Sequence, residues 1–553
     1  MTPETFDYVI VGAGSAGCVL ADRLTEDGRD SVLLLEYGGS DRSLWIQMPS
    51  ALSIPMNMPR YDWGYHTEPE PQLNGRRLHT PRGKVLGGSS SINGMVYVRG
   101  NALDFERWQA DGATGWGYQD VLPYFRRAER RAAGGDQYRG ADGPLATRQG
   151  LLTNPLHAAW LAAGREAGYA LTADMNGFQQ EGFGRMDMTV GGGRRCSAAN
   201  AYLRPAMRRH NLTVRTHALA TAVLFEGRRA MGLRYRRAGR LHEARARREV
   251  ILCAGPINTP QLLKLSGVGP PAELGALGIK VLHALPGVGE NLQDHLEFYF
   301  QVRSREPVTL YTEMSLWRRA LIGARWLLTR SGLGVSNHFE TGGFIRSRAG
   351  VRYPDIQFHF LPLAVNYDGS ALAREHGFQA HVGPMRSRSQ GWVRLRSAEA
   401  ADPPRILFNY MSQPEDWVEM RACVRLTREI FAQPAFDRYR GAELQPGEAV
   451  QSDAQIDAFI RAKAESAFHP SCSCRMGSPA DARAVVDPQA RVIGLEGLRV
   501  VDSSIMPSIT TGNLNAPTIM LAEKAADHIR GRGPLPRASV AYYSAAGWER
   551  AQR

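Results

Sequence analysis

Hydrophobic and polar positions change their period twice near the start of the chain. Residues 7–11 are mostly apolar, residues 16–24 carry apolar side chains at helical spacing, and residues 31–36 are apolar between their two ends. A buried strand, a helix and a second buried strand in this order form a βαβ unit, whose strands run parallel. The pattern therefore predicts a Rossmann-like α/β unit over residues 6–36.

Farther along the chain the pattern is mixed, and residues 212–253 alternate between strand-like runs and polar turns. Residues 536–553 are expected to form a loose tail. A chain of 553 residues exceeds one small core, so two domains are predicted. The other predicted elements are helices over 255–267, 316–329, 415–432 and 516–531, the last of them amphipathic, and strands over 355–362 and 391–397.

A glycine motif lies between the first strand and the first helix. Gly12 permits the turn, Gly14 lets the backbone approach a pyrophosphate, and Gly17 allows close helix packing. The helix then begins near Ser15 and presents free N–H groups to phosphate oxygens. Glu36 ends the next strand, where its carboxylate can accept both ribose hydroxyls. The motif predicts a dinucleotide site for FAD or NAD, since an acid here disfavours the phosphorylated ribose of NADP.

A loop rich in glycine and serine follows at residues 83–94. Gly87, Gly88 and Gly94 permit backbone conformations that other residues rarely adopt, and Asn93 offers a short donor. Such a loop can wrap a pyrophosphate and a flavin ring, whereas the alternative is an ordinary flexible surface loop. We therefore predict FAD rather than NAD.

The composition limits the classes of macromolecule that can be partners of this protein. The net charge is +13 and the sequence pI is about 9.6, with most of the basic side chains supplied by arginine. The basic residues are scattered and not interleaved with aromatic ones, which disfavours nucleic acid as a partner. Contact with an anionic membrane surface remains compatible with the charge. The charge thus disfavours a nucleic-acid partner and leaves two readings, a peripheral membrane contact and an ordinary charged surface.

The cysteines and the hydropathy of the chain bear on disulfides, metal sites and membrane spans. Six cysteines are too few for a disulfide framework, and Cys472 and Cys474 are interpreted as structural thiols rather than metal ligands. The start of the sequence lacks a secretory signal, and no run of 18 apolar residues occurs. The protein is therefore expected on the cytoplasmic side without a membrane span, and no metal site is predicted.

Several long segments resemble the glucose–methanol–choline (GMC) oxidoreductases, and the resemblance covers essentially the whole chain. Within that family the chain is most similar to bacterial members that act on choline. The resemblance implies FAD as the cofactor and oxidation of choline to betaine aldehyde and on to glycine betaine, an osmoprotectant. The segments that carry it are the glycine motif with Glu36 and residues 82–94, 97–104, 255–269, 285–295, 336–347, 406–412, 469–470 and 502–513.

The resemblance also implies catalytic roles. His469 matches the family's catalytic histidine, and an imidazole can take a hydroxyl proton near neutral pH. Asn513 matches the second active-site position, whose amide can hydrogen-bond the substrate oxygen. Asp502 lies in the flavin-binding block, where it contacts the cofactor or caps a turn. A helix that begins near residues 516–517 is expected to direct its N-terminal N–H groups at the flavin.

A cationic substrate needs its own site. Glu297 falls where the resemblance places a carboxylate that faces the trimethylammonium group, and a buried carboxylate is costly without such a partner. Trp63 and Phe468 match aromatic cage positions. The looser candidates are Trp317, as a third aromatic wall, and His359, as a polar pocket residue. Ordinary core packing is the alternative reading of each aromatic side chain.

Family members that bind FAD covalently carry a histidine in the glycine-rich loop. The matching position here is Ile92, so non-covalent FAD is predicted. The resemblance implies a respiratory-chain or quinone electron acceptor. Another primary alcohol is the alternative substrate, and a hydroxynitrile lyase is a less favoured alternative activity.

The chain is expected to divide into a Rossmann-like FAD-binding domain, a second α+β substrate-binding domain with an antiparallel sheet flanked by helices, and a tail. The FAD-binding domain is predicted to be discontinuous, because distant segments resemble the family's cofactor-binding blocks. The predicted ranges are 1–155, 195–300 and 462–535 for the first domain, 156–194 and 301–461 for the second, and 536–553 for the C-terminal tail.

Overall fold

The computed structural model describes residues 3–366 and 375–553. Its first large sheet has a parallel half, in which the strand at residues 4–11 lies between those at 32–35 and 240–252. The other half is antiparallel, as successive hairpins require. The seven strands are Glu4–Val11, Val32–Leu35, Leu212–Arg215, Ala218–Glu226, Arg229–Arg237, Arg240–Leu252 and Leu498–Val500.

The second large sheet is antiparallel throughout. Its central strands are buried along their whole length, because a helix and a second apolar layer cover the two faces. The predicted α/β fold with a second, antiparallel α+β unit is confirmed. The seven strands are Gly182–Arg185, Leu296–Ser304, Thr341–Ile345, Ile356–Leu361, Gly377–Pro384, Arg440–Gln445 and Glu465–Ser466.

Shorter strands and the helices complete the fold. The short strands are Tyr65–His66, His79–Thr80, Val96–Tyr97, Glu129–Arg131, Leu145–Gln149, Asp187–Met188, Val190–Gly191, Arg194–Arg195, Val268–Gly269, His283–Ala284, Glu290–Leu292, Gly391–Arg394 and Arg405–Leu407. The helices, numbered α1 to α12 in chain order, are Ser15–Thr25, Leu44–Gln47, Ala102–Ala110, Tyr118–Ala128, Pro155–Glu166, Arg204–Ala206, Gly255–Leu265, Pro271–Ala276, Leu316–Thr329, Pro414–Phe431, Asp453–Lys463 and Asn515–Ile529.

The last helix differs from the amphipathic helix that the sequence pattern predicts. α12 is buried on nearly all sides, between α1 and α4, and is not amphipathic. The polar residues that suggested an exposed face are themselves buried and paired. Glu523 accepts from Arg23 and Arg127, and Asp527 pairs with Arg127. An ion pair inside the fold gives the same sequence pattern as a solvated face.

The C-terminal tail has no helix or strand, but it is not loose. Its backbone is hydrogen-bonded to the body of the protein at Ala538, Tyr543 and Trp548. The side chain of Arg553 at its end forms an ion pair with Glu429. These contacts are irregular and lack a periodic apolar pattern, so no local sequence signal predicts them.

Candidate active site

One cavity lies between the two large sheets, at the carboxyl ends of the parallel strands. In open α/β sheets this edge is the usual ligand site, because loops leave the strands there and leave a crevice. Val11 and Glu36 reach the cavity from the first sheet, and Glu297 and His359 reach it from the second. The fold therefore brings the predicted cofactor and substrate residues to one place.

The predicted dinucleotide turn forms one wall of this cavity. Gly12 has φ +97°, and a Cβ there would lie 2.5 Å from the carbonyl oxygen of Cys253, so only glycine fits. Gly14 lines the cavity, and a Cβ on it would meet nothing closer than 3.9 Å. Gly17 lies underneath, where a Cβ would be 1.9 Å from Gly12 O. Gly12 and Gly17 thus allow the turn to pack tightly. Because Gly14 has no side chain, the face of the turn that borders the cavity is open to a ligand.

Two helix N-termini meet at this wall. Ser15 begins α1 and Asn515 begins α12, and the Ser15 hydroxyl donates to Asn515 Oδ1 at 2.8 Å. Both residues line the cavity. The partial positive charge at the start of each helix favours an anionic group between them.

Glu36 is buried and faces the same cavity. Its carboxylate accepts from the backbone N–H of Ala13 at 3.0 Å and of Gly38 at 2.7 Å. Burial raises its pKa to about 7, against the effect of these backbone donors. Each carboxylate oxygen accepts more than one hydrogen bond, so the arrangement leaves acceptor capacity for the ribose hydroxyls of an adenosine.

The glycine-rich loop packs directly on the dinucleotide turn. A Cβ on Gly88 would lie 2.7 Å from Gly14 Cα, and Gly87 with φ +88° turns the chain beneath the loop. Gly88, Asn93 and Gly94 line the cavity, whereas Gly87 does not. The loop and the turn together form a continuous cradle of exposed backbone, which fits FAD.

Arg195 holds this loop in place, and the sequence analysis missed it. Its guanidinium is buried and donates to Ile46 O, to Ser90 O, and to the backbone and side-chain oxygens of Asn93. No carboxylate pairs with it among the described residues, and burial lowers its pKa to about 9. An arginine followed by cysteine carries no motif, so only the fold reveals this contact.

Asp502 caps turns, as one of its two predicted roles requires. Its carboxylate accepts from Gly255 N at 2.9 Å and from the Thr259 hydroxyl at 2.7 Å, which satisfies the start of α7. The other oxygen accepts from Ser504 N at 2.8 Å. Asp502 also lines the cavity, so it fixes two backbone segments that border the cofactor cradle.

His469 and Asn513 lie side by side in the cavity. The side-chain amide Nδ2 of Asn513 is 3.0 Å from His469 Nε2. Burial is the main reason why the pKa of His469 is well below its usual value, and positive charge on His295, His359 or Arg82 would lower it further. The imidazole is therefore neutral near pH 7 and can accept a proton.

A three-residue segment that the sequence analysis did not single out holds His469. Asp294 accepts from the backbone N–H of His469 at 2.6 Å and from the Ser466 hydroxyl at 2.5 Å. Gln293 accepts from Ile509 N at 3.1 Å, and His295 contacts the imidazole of His469 itself. The available signal was the position of these three residues immediately before Leu296 and Glu297.

Asn513 is fixed by the second sheet. The side-chain amide of Gln357 donates to Asn513 Oδ1 at 3.2 Å and lies 3.0 Å from His359 Nε2. His359 is buried, lines the cavity, and has a pKa lowered to about 4, chiefly by burial. His359 therefore lies in the pocket as predicted, and Gln357 is an additional residue that orients the amide of Asn513.

Glu297 is a buried carboxylate at the cavity wall. His381 Nδ1 lies 3.0 Å from its Oε1, and Gln379 Nε2 lies 2.7 Å from the other ring nitrogen of His381. Gln379 Oε1 accepts from Gln301, so its amide group donates to His381 Nε2. The proton of His381 must then be on Nδ1. His381 Nδ1–H thus donates to the carboxylate of Glu297.

No Arg or Lys side chain forms an ion pair with Glu297 in the part of the chain that the structure describes. Ionised carboxylates are rarely buried without a positive partner, because desolvation is costly. A cation bound in the cavity beside Glu297 would supply such a positive partner.

Two of the three candidate aromatic residues line the same cavity as Glu297. Trp63 lines the cavity, and its ring is stacked with those of Tyr37 and Tyr65, whose centroids are 5.0 Å and 5.6 Å away. Phe468 also lines the cavity, and Arg82 donates to its carbonyl oxygen at 2.7 Å.

Trp317 does not belong to this group. It lies on α9, is 84% exposed, and does not line the cavity. The prediction that Trp317 forms an aromatic wall is therefore wrong. A tryptophan in an amphipathic helix has the same local sequence pattern whether its side of the helix faces a pocket or solvent.

The remaining expectations concern metals and membrane spans. Within residues 3–366 and 375–553, no group of three or more candidate metal ligands occurs, and Cys472 and Cys474 are buried. In the same ranges, every helix is too short or too polar to cross a bilayer. Ile92 is buried and lines the cavity.

Known proteins resemble this chain in both sequence and structure. Two profiles of the GMC oxidoreductase family match residues 6–297 and 387–522. An oxygen-dependent choline dehydrogenase of Brucella anthropi is 57% identical over 547 residues, which is 99% of this chain and 100% of that protein. One of Rhizobium etli is 57% identical over 533 residues, covering 96% of this chain and 97% of the relative.

Solved structures agree with the fold. A pyridoxine 4-oxidase from Mesorbium loti superposes with a TM-score of 0.86 at 32% identity, over 95% of this chain and 99% of that one. A formate oxidase superposes with a TM-score of 0.90 at 25% identity, over 96% and 99% of the two chains. The relatives with different names share the scaffold, so the substrate must be argued from the residues of the cavity.

Proposed function

Because this chain belongs to the GMC oxidoreductase family, we propose that it is an FAD-dependent enzyme that oxidises the alcohol group of choline to betaine aldehyde. The observation that carries the choice of choline is Glu297, a buried carboxylate at the cavity wall that accepts from His381 and has no Arg or Lys partner among the described residues. A permanent cation supplies the missing charge partner, whereas a neutral alcohol does not. The similar choline dehydrogenases support the same choice.

The aromatic residues complete the cation site. The faces of Trp63 and Phe468 can contact methyl groups that carry partial positive charge, which contributes on the order of 1–2 kcal/mol in a desolvated pocket. The carboxylate and the aromatic rings thus bind one end of the substrate. Its hydroxyl end is then directed to His469 and Asn513, which line the same cavity.

His469 acts as the general base. Its Nε2 takes the hydroxyl proton, and the amide of Asn513 donates a hydrogen bond to the oxygen as negative charge develops there. FAD, when bound, supplies the acceptor for the hydride that leaves the alcohol carbon. The N-termini of α1 and α12 favour the additional negative charge at this wall of the cavity.

We also propose that the product can react again. Addition of water to betaine aldehyde gives a hydrate with a hydroxyl on the same carbon, so His469 can take its proton in the same way. After an external acceptor has taken the first pair of electrons, loss of a second hydride and two protons from the hydrate yields the carboxylate of glycine betaine. The trimethylammonium group remains unchanged in both steps, so the cation site serves both.

An external acceptor must take up the electrons that the alcohol loses. We propose a respiratory-chain or quinone acceptor, reached while the enzyme is in peripheral contact with a membrane on the cytoplasmic side. The basic charge of the protein supports such contact. The similar dehydrogenases are named as oxygen-dependent, so oxygen has to be compared with quinones as the oxidant in the same assay.

Anaerobic reduction of the bound flavin tests the proposed reaction. Choline added to the purified holoenzyme should bleach the absorbance of oxidised flavin within the turnover time. The control substrate is a neutral analogue in which a tert-butyl group replaces the trimethylammonium group. Bleaching by the analogue but not by choline would exclude choline, and no bleaching by either would favour the hydroxynitrile lyase alternative.

Glu297→Gln tests the cation site separately, because it removes the charge and keeps the shape. We expect choline binding to weaken at least about 10-fold more than binding of the neutral analogue. Equal losses for the two ligands would remove Glu297 from the cation site without changing the assignment as an oxidoreductase.

A further inference from the structure

The helix α9, Leu316–Thr329, presents an apolar face to solvent. With 3.6 residues per turn, its exposed leucine and tryptophan side chains fall on one side of the helix, and the exposed Arg318 and Thr329 fall on another. Only Trp326 points inward and is buried. The outward side chains include Leu316, Trp317, Leu321 and Leu328, which are 82%, 84%, 68% and 84% exposed.

A second exposed segment extends this surface. Leu44 and Trp45 on α2 are also exposed. They line the same apolar groove, of about 630 Å³, as Leu316 and Leu327 of α9. Isolated apolar side chains are normal on a protein surface, but a contiguous patch with two tryptophans marks an interaction site.

The charges on α9 indicate the kind of partner. The fourteen residues of the helix include three arginines and no acidic residue. Arg319 and Arg325 lie at the two margins of the apolar face, and both are exposed. A helix with tryptophan and leucine on one face and arginine at its margins is the type that lies in the interface of an anionic bilayer.

A second copy of this chain fits the surface less well. In a two-fold dimer the same patch meets itself. This would bring Arg319 and Arg325 of the two helices together, while the neighbouring carboxylate, Glu313, is already paired with Arg318. Anionic lipid headgroups supply the opposite charge, and the acyl region accepts the leucine and tryptophan side chains.

We propose that the apolar face of α9, together with Leu44 and Trp45, binds the enzyme to an anionic membrane surface. This inference deepens the proposed membrane-linked function, on which it rests, by naming the surface that makes the contact. Leu52 and Phe339 line both the groove beside α9 and the active-site cavity. When the enzyme is bound to the membrane through α9, the apolar groove therefore faces the bilayer. Through Leu52 and Phe339 this groove shares part of its wall with the active-site cavity.

Vesicle sedimentation with the holoenzyme tests the surface. The wild type should bind vesicles that contain phosphatidylglycerol at least about 10-fold more tightly than vesicles of phosphatidylcholine alone. The double variant Leu321→Ser/Leu328→Ser should lose about 10-fold or more in binding to both kinds of vesicle. Arg319→Gln/Arg325→Gln should lose mainly the preference for phosphatidylglycerol. Leu241→Ser, at an exposed leucine on the first sheet, is the matched control and should bind like the wild type.

Choline oxidation with a water-soluble artificial acceptor separates this proposal from the proposed function. The α9 variants should retain wild-type activity in that assay, so a loss of vesicle binding alone supports the surface assignment. Wild-type protein that does not bind either vesicle, or an L321S/L328S variant that binds as well as the wild type, would overturn it. A wild-type dimer that the same variant dissociates in sedimentation, without vesicle binding, would assign the face to a second copy instead.

Discussion

His295 and His469 meet through their Nδ1 atoms, which lie 3.0 Å apart. His295 Nε2 lies 3.0 Å from the carbonyl oxygen of Met385, which can only accept, so the proton of His295 is on Nε2. Burial lowers the pKa of His295 to about 3, so this residue is neutral and its Nδ1 is an acceptor. His469 must therefore donate from Nδ1, which leaves its Nε2 unprotonated beside Asn513.

This contact predicts that His295 positions the general base. His295→Leu removes the acceptor, so His469 is no longer held in the tautomer with a free Nε2. We expect kcat for choline to fall on the order of 10-fold or more, with little change in the binding of a non-reactive choline analogue. His295→Gln keeps an acceptor oxygen and should restore part of the loss. A fall in analogue binding with unchanged kcat would contradict the positioning role.

The pH dependence of the reaction follows from the low pKa of His469. The base is active when neutral, and burial holds its pKa well below the ordinary 6.5, so activity is lost only as the pH falls through that lower value. We expect kcat/KM for choline to stay constant as the pH decreases to about 6.5. The measurement is a kcat/KM profile with a soluble acceptor, and an acid limb at neutral or alkaline pH would be inconsistent with this environment.

Trp63 is expected to contribute to cation recognition. Trp63→Leu keeps an apolar side chain but removes the π face. We expect the Kd of choline to rise about 5- to 30-fold, the equivalent of about 1–2 kcal/mol, with a smaller change for the neutral tert-butyl analogue. Titration of both ligands against the oxidised holoenzyme measures the difference. If both affinities fall equally, Trp63 acts through packing alone.

The side chain of Ile92 determines how FAD is retained. Ile92 lines the cavity and has no nucleophilic atom, so it cannot form a bond to a flavin. We expect acid precipitation of the holoenzyme to release all of the flavin into the supernatant. A yellow pellet after repeated washing would show a covalent link through another residue.

The stability of the fold depends on a buried ion cluster around Glu129. Its carboxylate accepts from Arg99 at 2.6 Å and from Arg139 at 2.6 Å and 3.0 Å. Burial alone would raise its pKa, but the two guanidinium groups hold it at about 2. The lowered pKa means that this stabilisation is present above pH 4.5, the ordinary value, and is lost as the pH falls towards about 2.

Glu129→Gln leaves the two buried arginines without this carboxylate. We expect the free energy of unfolding to decrease by about 3–5 kcal/mol. The matched control is Glu226→Gln, which breaks an exposed pair with Arg245 and should cost less than about 1 kcal/mol. Urea unfolding near pH 7 measures both variants, and similar losses would mean that burial of the cluster does not matter.

Local sequence patterns predicted a large part of the fold. The strand–turn–helix of the dinucleotide motif depends on glycines that must be near one another in sequence, so its prediction succeeded. The helix predicted at 316–329 is found as Leu316–Thr329. The sequence failed where polarity was ambiguous, as in α12, whose Glu523 and Asp527 are buried with arginines rather than exposed.

The candidate site shows the same division. The sequence by itself determined that His469, Asn513 and Glu297 carry groups able to take a proton, donate a hydrogen bond and bind a cation, because these properties belong to the side chains. Only the tertiary structure decided that His295 sets the tautomer of His469, that His381 donates to Glu297, and that Trp317 faces solvent. Those outcomes depend on contacts between residues far apart in the chain, and on the burial that removes water from them, which no local pattern encodes.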